Sequence, residues 1–342
     1  MDNVKKSCTI SSISGYCVFL PSDFIIVNMQ KPLYSIIVSV YNEETVLPLF
    51  HQELSAVIDT MADTADFELL FVNDGSSDNS PQVLKQLMEK DKRVRVIHFS
   101  RNFGHEAAML AGLDHCRGEA AVCMDSDLQH PPALLPQMFS LCRQGKDVVT
   151  MMRTDRADGG SGKHLSSRLF YRIINKMSDA QLQPGASDFF LLSQKVIDVL
   201  RTDYRERTRF LRGIVQNIGF EKDSICYEAP LRAAGKSKYT YRKLLKFSFS
   251  AIASFSKVPL KIGIYSGLVF VLLSIILIIY SIVMWIIDTP VSGYTTLVIF
   301  LSAFAGIQLF VTGAIGHYIG FIFDEVKQRP LYIIQKIDSS DE

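Results

Sequence analysis

The chain has 342 residues, of which 48% are hydrophobic and 21% are charged, and its formal net charge is +1. This length accommodates one soluble domain of ordinary size together with a membrane-associated part. A charge so close to zero gives no general electrostatic reason to bind nucleic acid, so we exclude nucleic acid as a partner. The six cysteines include no closely spaced pair that would ligate zinc, which predicts reduced thiols in a cytosolic compartment.

The N-terminal extension, residues 1–32, resembles neither the soluble nor the apolar part of the chain. Lys5 and Lys6 precede a mildly apolar stretch, but Asp23 and several serines interrupt the continuous apolar core that a signal peptide needs. Met29 stands just before the first clear strand. Two explanations stay open, a disordered tail or a start codon assigned too early, and N-terminal sequencing of the native protein distinguishes them.

Strand and helix patterns alternate from residue 34 to residue 151. The run Tyr34–Val40 is short, rich in β-branched residues and nearly all apolar, as in a strand buried on both faces. The next predicted elements are a helix at about 46–61, a strand at 67–73, a helix at 80–91, a strand at 94–99, a helix at 105–115, a strand at 120–124, a helix at 133–144 and a strand at 147–151. This spacing predicts an α/β domain over residues 33–235, with parallel β-α-β units in a doubly wound, Rossmann-like sheet.

Polar segments follow four of these predicted strands. They are Tyr41–Glu44, Asp74, Ser100–Gly104 and Asp125–Asp127. Because ligands of such sheets bind at the carboxyl ends of the strands, we expect the four segments to converge on one cleft. The sequence has no Gly-x-Gly-x-x-Gly after the first strand and no P-loop, which argues against a nicotinamide dehydrogenase and a P-loop kinase.

Aspartates at the ends of two buried strands need a physical reason, because an unpaired carboxylate beside an apolar core is costly. Asp74 and Asp78 fit two interpretations equally well, a ligand contact or a turn that caps the helix starting near Ser80. Asp125 and Asp127 flank a single residue on a short loop, so both can reach one hard cation. A purely structural role for this second pair is the less favoured alternative.

The strand and helix pattern weakens after Met151. Residues 153–163 are rich in Asp, Gly and Ser, which predicts a loop that orders over a bound substrate. Residues 164–177 have basic side chains at four-residue spacing, which predicts an amphipathic helix that either lies on a membrane surface or packs on the domain. A second amphipathic stretch, 239–258, is predicted to lie at the membrane interface, within a segment bounded at 236–261.

Two uncharged stretches near the C-terminus predict membrane-spanning helices. The first, residues 262–287, is longer than the roughly 20 residues that a helix needs to cross a bilayer. The second, residues 295–323, also lacks Lys, Arg, Asp and Glu. Asp288 lies between them, whereas basic residues precede and follow the pair. The positive-inside rule therefore predicts a multi-pass protein of the inner membrane with both ends in the cytoplasm, including a tail at 324–342.

Several short blocks of the chain resemble, in order, those of a known enzyme family. The blocks are Val40–Glu44, Asn73–Ser76, Ser100–Gly104, Asp125–Pro132, Phe210–Gly213, Ser237–Tyr239 and Gly320–Pro330. The chain resembles family 2 glycosyltransferases with the GT-A fold, and in particular the bactoprenol glucosyltransferases of the GtrB type, which are related to dolichyl-phosphate mannose synthase. The resemblance covers roughly residues 33–336.

This resemblance implies which residues bind the sugar donor. The nucleotide-sugar pocket would be lined by Tyr41, Glu43, Asp74, Asp125 and Arg101. Asp74 would accept a hydrogen bond from a uracil ring, and Asp125 would lie near the ribose. Asp127, together with Asp125, would hold Mg²⁺ or Mn²⁺ against the diphosphate.

The acceptor that the resemblance implies is a polyprenyl phosphate presented from the lipid bilayer. Such a phosphate has a second pKa of about 6 and is largely ionised at pH 7, so it hardly needs a general base. Asp188 matches the acidic position beside the acceptor, and we expect it to orient the acceptor or the sugar rather than to remove a proton. Arg209, Arg212 and Lys238 are expected to neutralise the incoming phosphate, with ordinary surface charge near anionic lipid as the alternative.

The favoured function is the inverting transfer of a hexose, with glucose the first candidate, from a UDP-sugar to undecaprenyl phosphate at the cytoplasmic membrane face. A homo-oligomer, in particular a tetramer, would be in keeping with the family. Two alternatives stay open. A processive polysaccharide synthase would need a Gln-x-x-Arg-Trp element, whereas the only tryptophan, Trp285, lies in the first predicted span. A non-catalytic protein that binds or transports the lipid carrier would release no UDP.

Overall fold

The computed structural model consists of a β-sheet flanked by helices and followed by two long apolar helices. It describes residues 31–154, 183, 185–207, 210–228, 230, 258–287 and 293–339. Several sequence predictions fall wholly or largely outside these residues, namely those on residues 1–30, on the loop at 153–163, on the helix at 164–177 and on the interfacial segment at 236–261. Arg209 and Lys238 also lie outside them.

Strands and helices alternate through the first half of the chain, as the sequence pattern predicts. The elements are β1 Leu33–Val40, α1 Leu47–Asp59, β2 Asp66–Asn73, α2 Ser80–Lys90, β3 Val94–Phe99, α3 His105–His115, β4 Ala120–Asp125, a 3-10 turn Pro132–Leu134, α4 Leu135–Arg143 and β5 Val148–Thr154. Predicted and observed bounds differ only at the element ends, where assignments commonly vary. The clearest difference is that β5 continues to Thr154, so Arg153 belongs to a strand and not to the predicted loop.

The later elements complete the sheet and add the apolar helices. They are β6 Ala186–Ser193, α5 Gln194–Thr202, α6 Leu211–Asn217, β7 Lys222–Glu228, α7 Val258–Ile286, α8 Tyr294–Val326 and β8 Ile334–Ser339. The sequence analysis had assigned none of β6, α5, α6, β7 and β8. The interval 324–342, predicted as a tail, contains the end of α8 and a strand of the sheet.

The sheet places the carboxyl ends of its central strands along one edge. Its strand order is β7-β5-β6-β4-β1-β2-β3-β8. The central strands β4, β1, β2 and β3 are parallel, which confirms the doubly wound centre. β6 runs antiparallel to β4 and β5, and β8 runs antiparallel to β3, so the whole sheet is mixed. Because β1 lies between β2 and β4, the winding direction reverses there, and a ligand crevice is expected at that edge.

Apolar side chains cover both faces of the sheet, which explains the continuous apolar runs of the central strands. Along β1, Ile36 and Val38 belong to one core cluster and Ile37 belongs to the other, as expected from the alternation of side chains along a strand. In the first cluster, Tyr34 stacks on Phe139 with ring centroids 4.3 Å apart. The two layers hold the polar segments after each strand in fixed positions.

The described cysteines are free thiols, as the sequence predicts. They are Cys116, Cys123, Cys142 and Cys226. Burial raises the pKa of Cys123 well above its ordinary value, so this thiol stays protonated and unreactive within the core. Cys226, in contrast, is exposed.

A buried ion pair at the amino end of the sheet leads to a stability prediction. Glu68 is only 5% exposed, pairs with Arg95, and accepts hydrogen bonds from Ser35 Oγ at 2.6 Å and the Arg117 backbone N–H at 3.0 Å. Glu68→Ala leaves the Arg95 charge buried without its partner, and we expect the free energy of unfolding to fall by roughly 3 kcal/mol. Urea denaturation of the detergent-solubilised protein measures this loss. A loss below about 1 kcal/mol, the size of an exposed ion pair, would contradict the prediction.

The two long helices α7 and α8 have the length and composition of membrane spans. Their most apolar windows are Tyr265–Met284 and Ala303–Val326, and none of the described residues in these windows is buried within the protein. Exposed apolar surface on that scale requires a covering, and lipid is the covering that its length matches. The structure thus confirms two candidate spans, with α7 beginning at Val258 and α8 ending at Val326.

Candidate active site

The loops after β1 and β2 are hydrogen-bonded to each other at the carboxyl edge of the sheet. The Asn42 backbone N–H donates to Ser76 Oγ at 3.0 Å, and the Ser77 backbone N–H donates to Asn42 Oδ1 at 2.8 Å. The Glu43 backbone N–H donates to Ser80 Oγ at 2.9 Å. The predicted convergence of these two loops therefore occurs, and side-chain oxygens hold it in place.

Asp78 has the structural role that was one of its two interpretations. Its two carboxylate oxygens accept the backbone N–H groups of Ser80 at 3.0 Å and Glu44 at 3.2 Å. Burial acts to raise its pKa, but the hydrogen bonds from Ser80 and Glu44 outweigh burial, so the pKa of Asp78 is lowered. Asp78 thus supports the start of α2 and the loop after β1 as an ionised carboxylate.

Asp74 connects the loop after β2 to the loop after β3. It is 3% exposed, and its two oxygens accept the backbone N–H groups of Phe103 at 2.6 Å and Gly104 at 2.9 Å. Burial is the largest influence on the carboxyl group and raises the pKa of Asp74 in spite of these hydrogen bonds. A uracil ring would have to share one of these oxygens, which is chemically feasible because each oxygen has two lone pairs.

Gly75 allows these two loops to approach closely. Its φ is +63°, and an added Cβ would lie 2.6 Å from Asn102 N and closer still to the carbonyl carbon of Arg101. Both features require glycine, because the left-handed conformation and the contact exclude a side chain. The Asn73-Asp74-Gly75 motif therefore has a packing reason in addition to any ligand contact.

If UDP is the donor nucleotide, as the resemblance implies, Gly75→Ala is expected to weaken its binding about tenfold or more, because backbone strain of about 1–2 kcal/mol adds to a clash that separates the two loops. Gly145→Ala is the matched control. Gly145 also has a positive φ, of +92°, but no heavy atom lies within 4 Å of its added Cβ. Titration calorimetry with UDP compares both variants with the wild type. Equal affinities for the two variants would contradict this account of Gly75.

Asp125 and Asp127 lie at the carboxyl end of β4 on either side of the buried Ser126. Asp125 Oδ1 accepts a hydrogen bond from Ser39 Oγ at 3.3 Å, and Asp127 Oδ1 accepts the Gln129 backbone N–H at 3.0 Å. Ser126 Oγ donates to the Ser39 carbonyl at 3.2 Å, which holds the turn against β1. Both carboxylates are partly exposed at the cleft edge.

His105, the first residue of α3, joins the aspartate group and was not predicted from the sequence. Its Nδ1 lies 2.8 Å from Ser39 Oγ, and its Nε2 lies 3.4 Å from Asp125 Oδ1 and 3.9 Å from Asp188 Oδ2. Burial alone would lower the pKa of His105, but the carboxylates of Asp125 and Asp188 outweigh burial and raise it. The only sequence signal was its place directly after the Ser100–Gly104 block.

Asp188 and Arg212 form a bidentate ion pair next to His105. Arg212 Nε donates to Asp188 Oδ1 at 3.0 Å, and Arg212 Nη2 donates to Asp188 Oδ2 at 2.6 Å. Burial acts to raise the pKa of Asp188, but the guanidinium group outweighs burial and the pKa is lowered. The structure therefore brings together two residues that the sequence analysis assigned to the acceptor side.

Comparisons with known proteins identify the family of the chain. The model for glycosyl transferase family 2 matches residues 35–201. The uncharacterized glycosyltransferase YkcC of Bacillus subtilis is 40% identical over 308 residues, which cover 89% of this chain and 93% of that protein. The chain belongs to glycosyltransferase family 2.

Two further comparisons describe the relatives of this glycosyltransferase. The SfII prophage-derived bactoprenol glucosyl transferase of Shigella flexneri is 36% identical, over 88% of this chain and 97% of that protein. A solved structure of glucosyl-3-phosphoglycerate synthase from Mycobacterium tuberculosis, in complex with Mn²⁺, UDP-glucose and phosphoglyceric acid, is 17% identical. It covers 65% of this chain and 78% of that chain, with a TM-score of 0.43. The mixed, doubly wound sheet and the family assignment confirm the GT-A fold, and the apolar helices make this a membrane-associated glycosyltransferase.

The remaining predicted donor residues of this glycosyltransferase also lie at the carboxyl edge. Tyr41 follows β1 and is 42% exposed. The Glu43 carbonyl accepts the backbone N–H groups of Val46 and Leu47, each at 3.1 Å, and so begins the turn into α1. The Arg101 guanidinium carbon lies 4.1 Å from the centroid of the Phe103 ring. The loops after β1 and β3 thus present an aromatic ring and a cation at the cleft.

Asp125 and Asp127 are the candidate ligands for a divalent cation at the end of β4. Within the described part of the chain, no group of three or more His, Cys, Asp and Glu side chains is arranged to hold a metal ion. Asp125 and Asp127 nevertheless supply hard carboxylate oxygens from positions that flank one residue and are partly exposed. Two such ligands suit Mg²⁺ or Mn²⁺ when phosphate oxygens and water complete the coordination.

Proposed function

We propose that the protein transfers glucose from UDP-glucose to undecaprenyl phosphate at the cytoplasmic membrane face, with inversion at the anomeric carbon. The observation that carries the proposal is the cluster in which Asp125 lies beside His105 and the Asp188–Arg212 pair at the carboxyl edge of the sheet. The similarity to a bactoprenol glucosyl transferase over 88% of the chain supports the choice of sugar and carrier.

The donor side of the proposal rests on the four loops of the cleft. Asp125 and Asp127 would hold Mg²⁺ or Mn²⁺, which supplies several kcal/mol of stabilisation to the negative charge that develops on departing UDP. Asp74 and Tyr41 would contact the base, and Glu43 and Arg101 would line the rest of the pocket. Asp125 would reach the ribose from the end of β4.

The acceptor side needs a nucleophile but no strong base. One oxygen of the phosphate attacks C1 of the sugar, the bond from C1 to the diphosphate breaks, and UDP leaves with the bonding electron pair. The phosphate has a second pKa of about 6 and needs to release no proton at pH 7. Arg212 would neutralise it, and Asp188, a weak base because its pKa is lowered, would orient it. Arg209 and Lys238 are proposed as further phosphate contacts.

The membrane orientation is supported by the position of β8. α7 and α8 are consecutive, and the chain after α8 returns to pair with β3 of the catalytic sheet. The segments on both sides of the helix pair therefore belong to the same side of the bilayer. The basic residues that flank the pair favour the cytoplasm for that side.

The pH profile distinguishes an orienting Asp188 from a general base. The lowered pKa keeps Asp188 ionised throughout the neutral range, so its protonation does not limit the rate there. We expect kcat/KM to fall only as pH drops through about 6, where the acceptor phosphate gains a proton. Asp188→Asn is expected to have the same profile at a lower level. Loss of the acidic limb in Asp188→Asn would contradict this role and would indicate a general base.

The function is tested with the purified full-length protein in lipid nanodiscs containing undecaprenyl phosphate. We expect UDP release from UDP-glucose in the presence of Mg²⁺, and a lipid product that carries one hexose in β linkage, measured by mass spectrometry and NMR. UDP-galactose and UDP-N-acetylglucosamine serve as competing donors. A product with many hexoses would indicate a polysaccharide synthase. Binding without UDP release would indicate a non-catalytic carrier protein.

A further inference from the structure

The strand that follows the second apolar helix, β8, begins beside the predicted donor loops, which are the loops after β1, β2, β3 and β4. β8 pairs with β3 so that Ile334 is opposite Phe99, and the Ser100 backbone N–H donates to the Ile333 carbonyl at 3.0 Å. Tyr332 stacks on Phe99 with ring centroids 5.2 Å apart. β8 therefore contacts the chain at the residue where the Ser100–Gly104 loop begins.

A path of polar side chains runs from β8 to the loop after β2. Asp338 Oδ2 lies 3.3 Å from His98 Nε2, and His98 Nδ1 lies 3.0 Å from Asn73 Nδ2. Asn73 Oδ1 accepts the Ser76 backbone N–H at 3.0 Å. Because the Asn73 amide nitrogen can only donate, His98 Nδ1 is the acceptor, and a neutral ring then carries its proton on Nε2, which faces Asp338.

The ring of His98 is neutral in this environment. His98 is 6% exposed and Asn73 is 4% exposed, so both side chains have little access to bulk water. Burial is the largest influence on the imidazole and lowers the pKa of His98, although Asp338 acts in the opposite direction. Buried polar groups in such a path need all their partners, and the loss of one affects the others.

The path continues into the loop after β1 and borders a cavity. Ser76 Oγ accepts the Asn42 backbone N–H at 3.0 Å, which links the β2 loop to the β1 loop. A cavity of about 420 Å³ has Lys336 of β8 on one wall, and Gly75 and Arg101 of the donor loops on another. β8 is thus both connected to the donor loops and adjacent to the same open space.

We propose that β8 contributes to binding of the donor nucleotide. In this proposal, Asp338, His98 and Asn73 are positioning residues that hold the turn of Asp74 and Gly75 in its nucleotide-binding conformation. The proposal rests on the proposed function, because it takes these loops as the site of the nucleotide. The chain after the second membrane helix then contributes to donor affinity, and this role is separate from membrane attachment.

The same contacts limit the distance between the donor loops and the end of α8. Residues 327–333 join α8 to β8, and a stretch of that length spans at most about 25 Å even when fully extended. Tyr332 adds a second attachment within this linker, since its hydroxyl donates to Asp114 Oδ2 at 2.6 Å. The donor loops are therefore held near the cytoplasmic end of α8, where a lipid-linked acceptor would be presented.

The experiment compares UDP affinity in variants of the full-length protein in nanodiscs. Asp338→Leu removes the partner of His98 and also of Lys336, whose Nζ lies 2.7 Å from Asp338 Oδ2, and its Kd for UDP is expected to rise about tenfold. Asp338→Asn keeps an acceptor oxygen and is expected to restore affinity to within about threefold of the wild type. Ser339→Ala, on the same strand, is the control and should leave Kd unchanged. In turnover assays, Asp338→Leu should raise KM for UDP-glucose and leave KM for undecaprenyl phosphate unchanged.

A second variant keeps the test valid if Asp338→Leu folds poorly. His98→Phe fills the same space without either ring nitrogen, and its Kd for UDP is expected to rise by a similar factor. The double variant should be no worse than either single variant, because both residues act through one path. An unchanged Kd in Asp338→Leu or His98→Phe, or fully additive effects, would overturn the proposal. Failure of the wild type to bind UDP would instead overturn the proposed function.

Discussion

Asp127→Asn is expected to reduce kcat/KM for sugar transfer by roughly a hundredfold or more, because metal-ion stabilisation of a leaving group contributes several kcal/mol. The substitution replaces a charged hard ligand with a neutral amide at the end of β4. The fold should be unaffected, since Asp127 is partly exposed and an asparagine oxygen can still accept the Gln129 N–H. UDP release measured over a range of Mg²⁺ concentrations, with thermal unfolding as the control for folding, gives the result.

The loss of kcat/KM in Asp127→Asn is to be compared with the loss in Asp188→Asn. Asp188 is expected to orient the acceptor or the sugar, so its amide variant should lose less than about tenfold in kcat/KM. The lowered pKa of Asp188 supports this expectation, because a weak base contributes little to proton removal. If Asp188→Asn were the more damaging of the two substitutions, the assignment of roles in the cleft would be wrong.

Arg212→Gln is expected to raise KM for undecaprenyl phosphate about tenfold or more, because it would remove the charge-assisted contact proposed between Arg212 and the incoming phosphate. In the structure this guanidinium group is held by Asp188, so the phosphate must compete with a carboxylate for it. Arg212→Lys should restore little of the affinity, since an ammonium group lacks the planar fork. Steady-state kinetics at saturating UDP-glucose, with the acceptor varied, measure the effect.

Because the phosphate and Asp188 would compete for Arg212, Asp188→Asn and Arg212→Gln are expected to change KM for undecaprenyl phosphate in opposite directions. Asp188→Asn weakens the hold on Arg212, so KM for undecaprenyl phosphate should stay level or fall while kcat declines. Arg212→Gln should raise the same KM. The Kd for UDP serves as the control and should change in neither variant. A rise in the Kd for UDP in Arg212→Gln would place Arg212 on the donor side and contradict its proposed role.

Periodic, local patterns predicted the centre of the fold well. Each central strand is buried on both faces, so runs such as Tyr34–Val40 were recognisable from the sequence, and helices of ordinary length separate them. The convergence of the loops after β1, β2, β3 and β4 then followed from the parallel arrangement. These features were predictable because the composition of a short segment is enough to identify a buried strand or a helix.

The features that the sequence could not predict depend on distant contacts. β8 is a six-residue edge strand, partly exposed, whose pairing with β3 connects parts of the chain far apart in sequence. His105 was identifiable only as a helix residue, because its proximity to Asp125 and Asp188 arises from the packing of α3 against β1. The pairing of Arg212 with Asp188 likewise depends on how α6 lies against β6.

The proposed mechanism depends above all on cation binding at the end of β4. The most direct measurement is the binding of Mn²⁺ by electron paramagnetic resonance, with and without UDP, to the wild type and to the Asp125→Asn/Asp127→Asn double variant. Mn²⁺ is expected to bind the wild type more tightly when UDP is present and to be lost from the double variant. Undiminished Mn²⁺ binding in the double variant would contradict cation binding by Asp125 and Asp127. Full-rate sugar transfer by the wild type in excess EDTA would contradict a catalytic role for the cation.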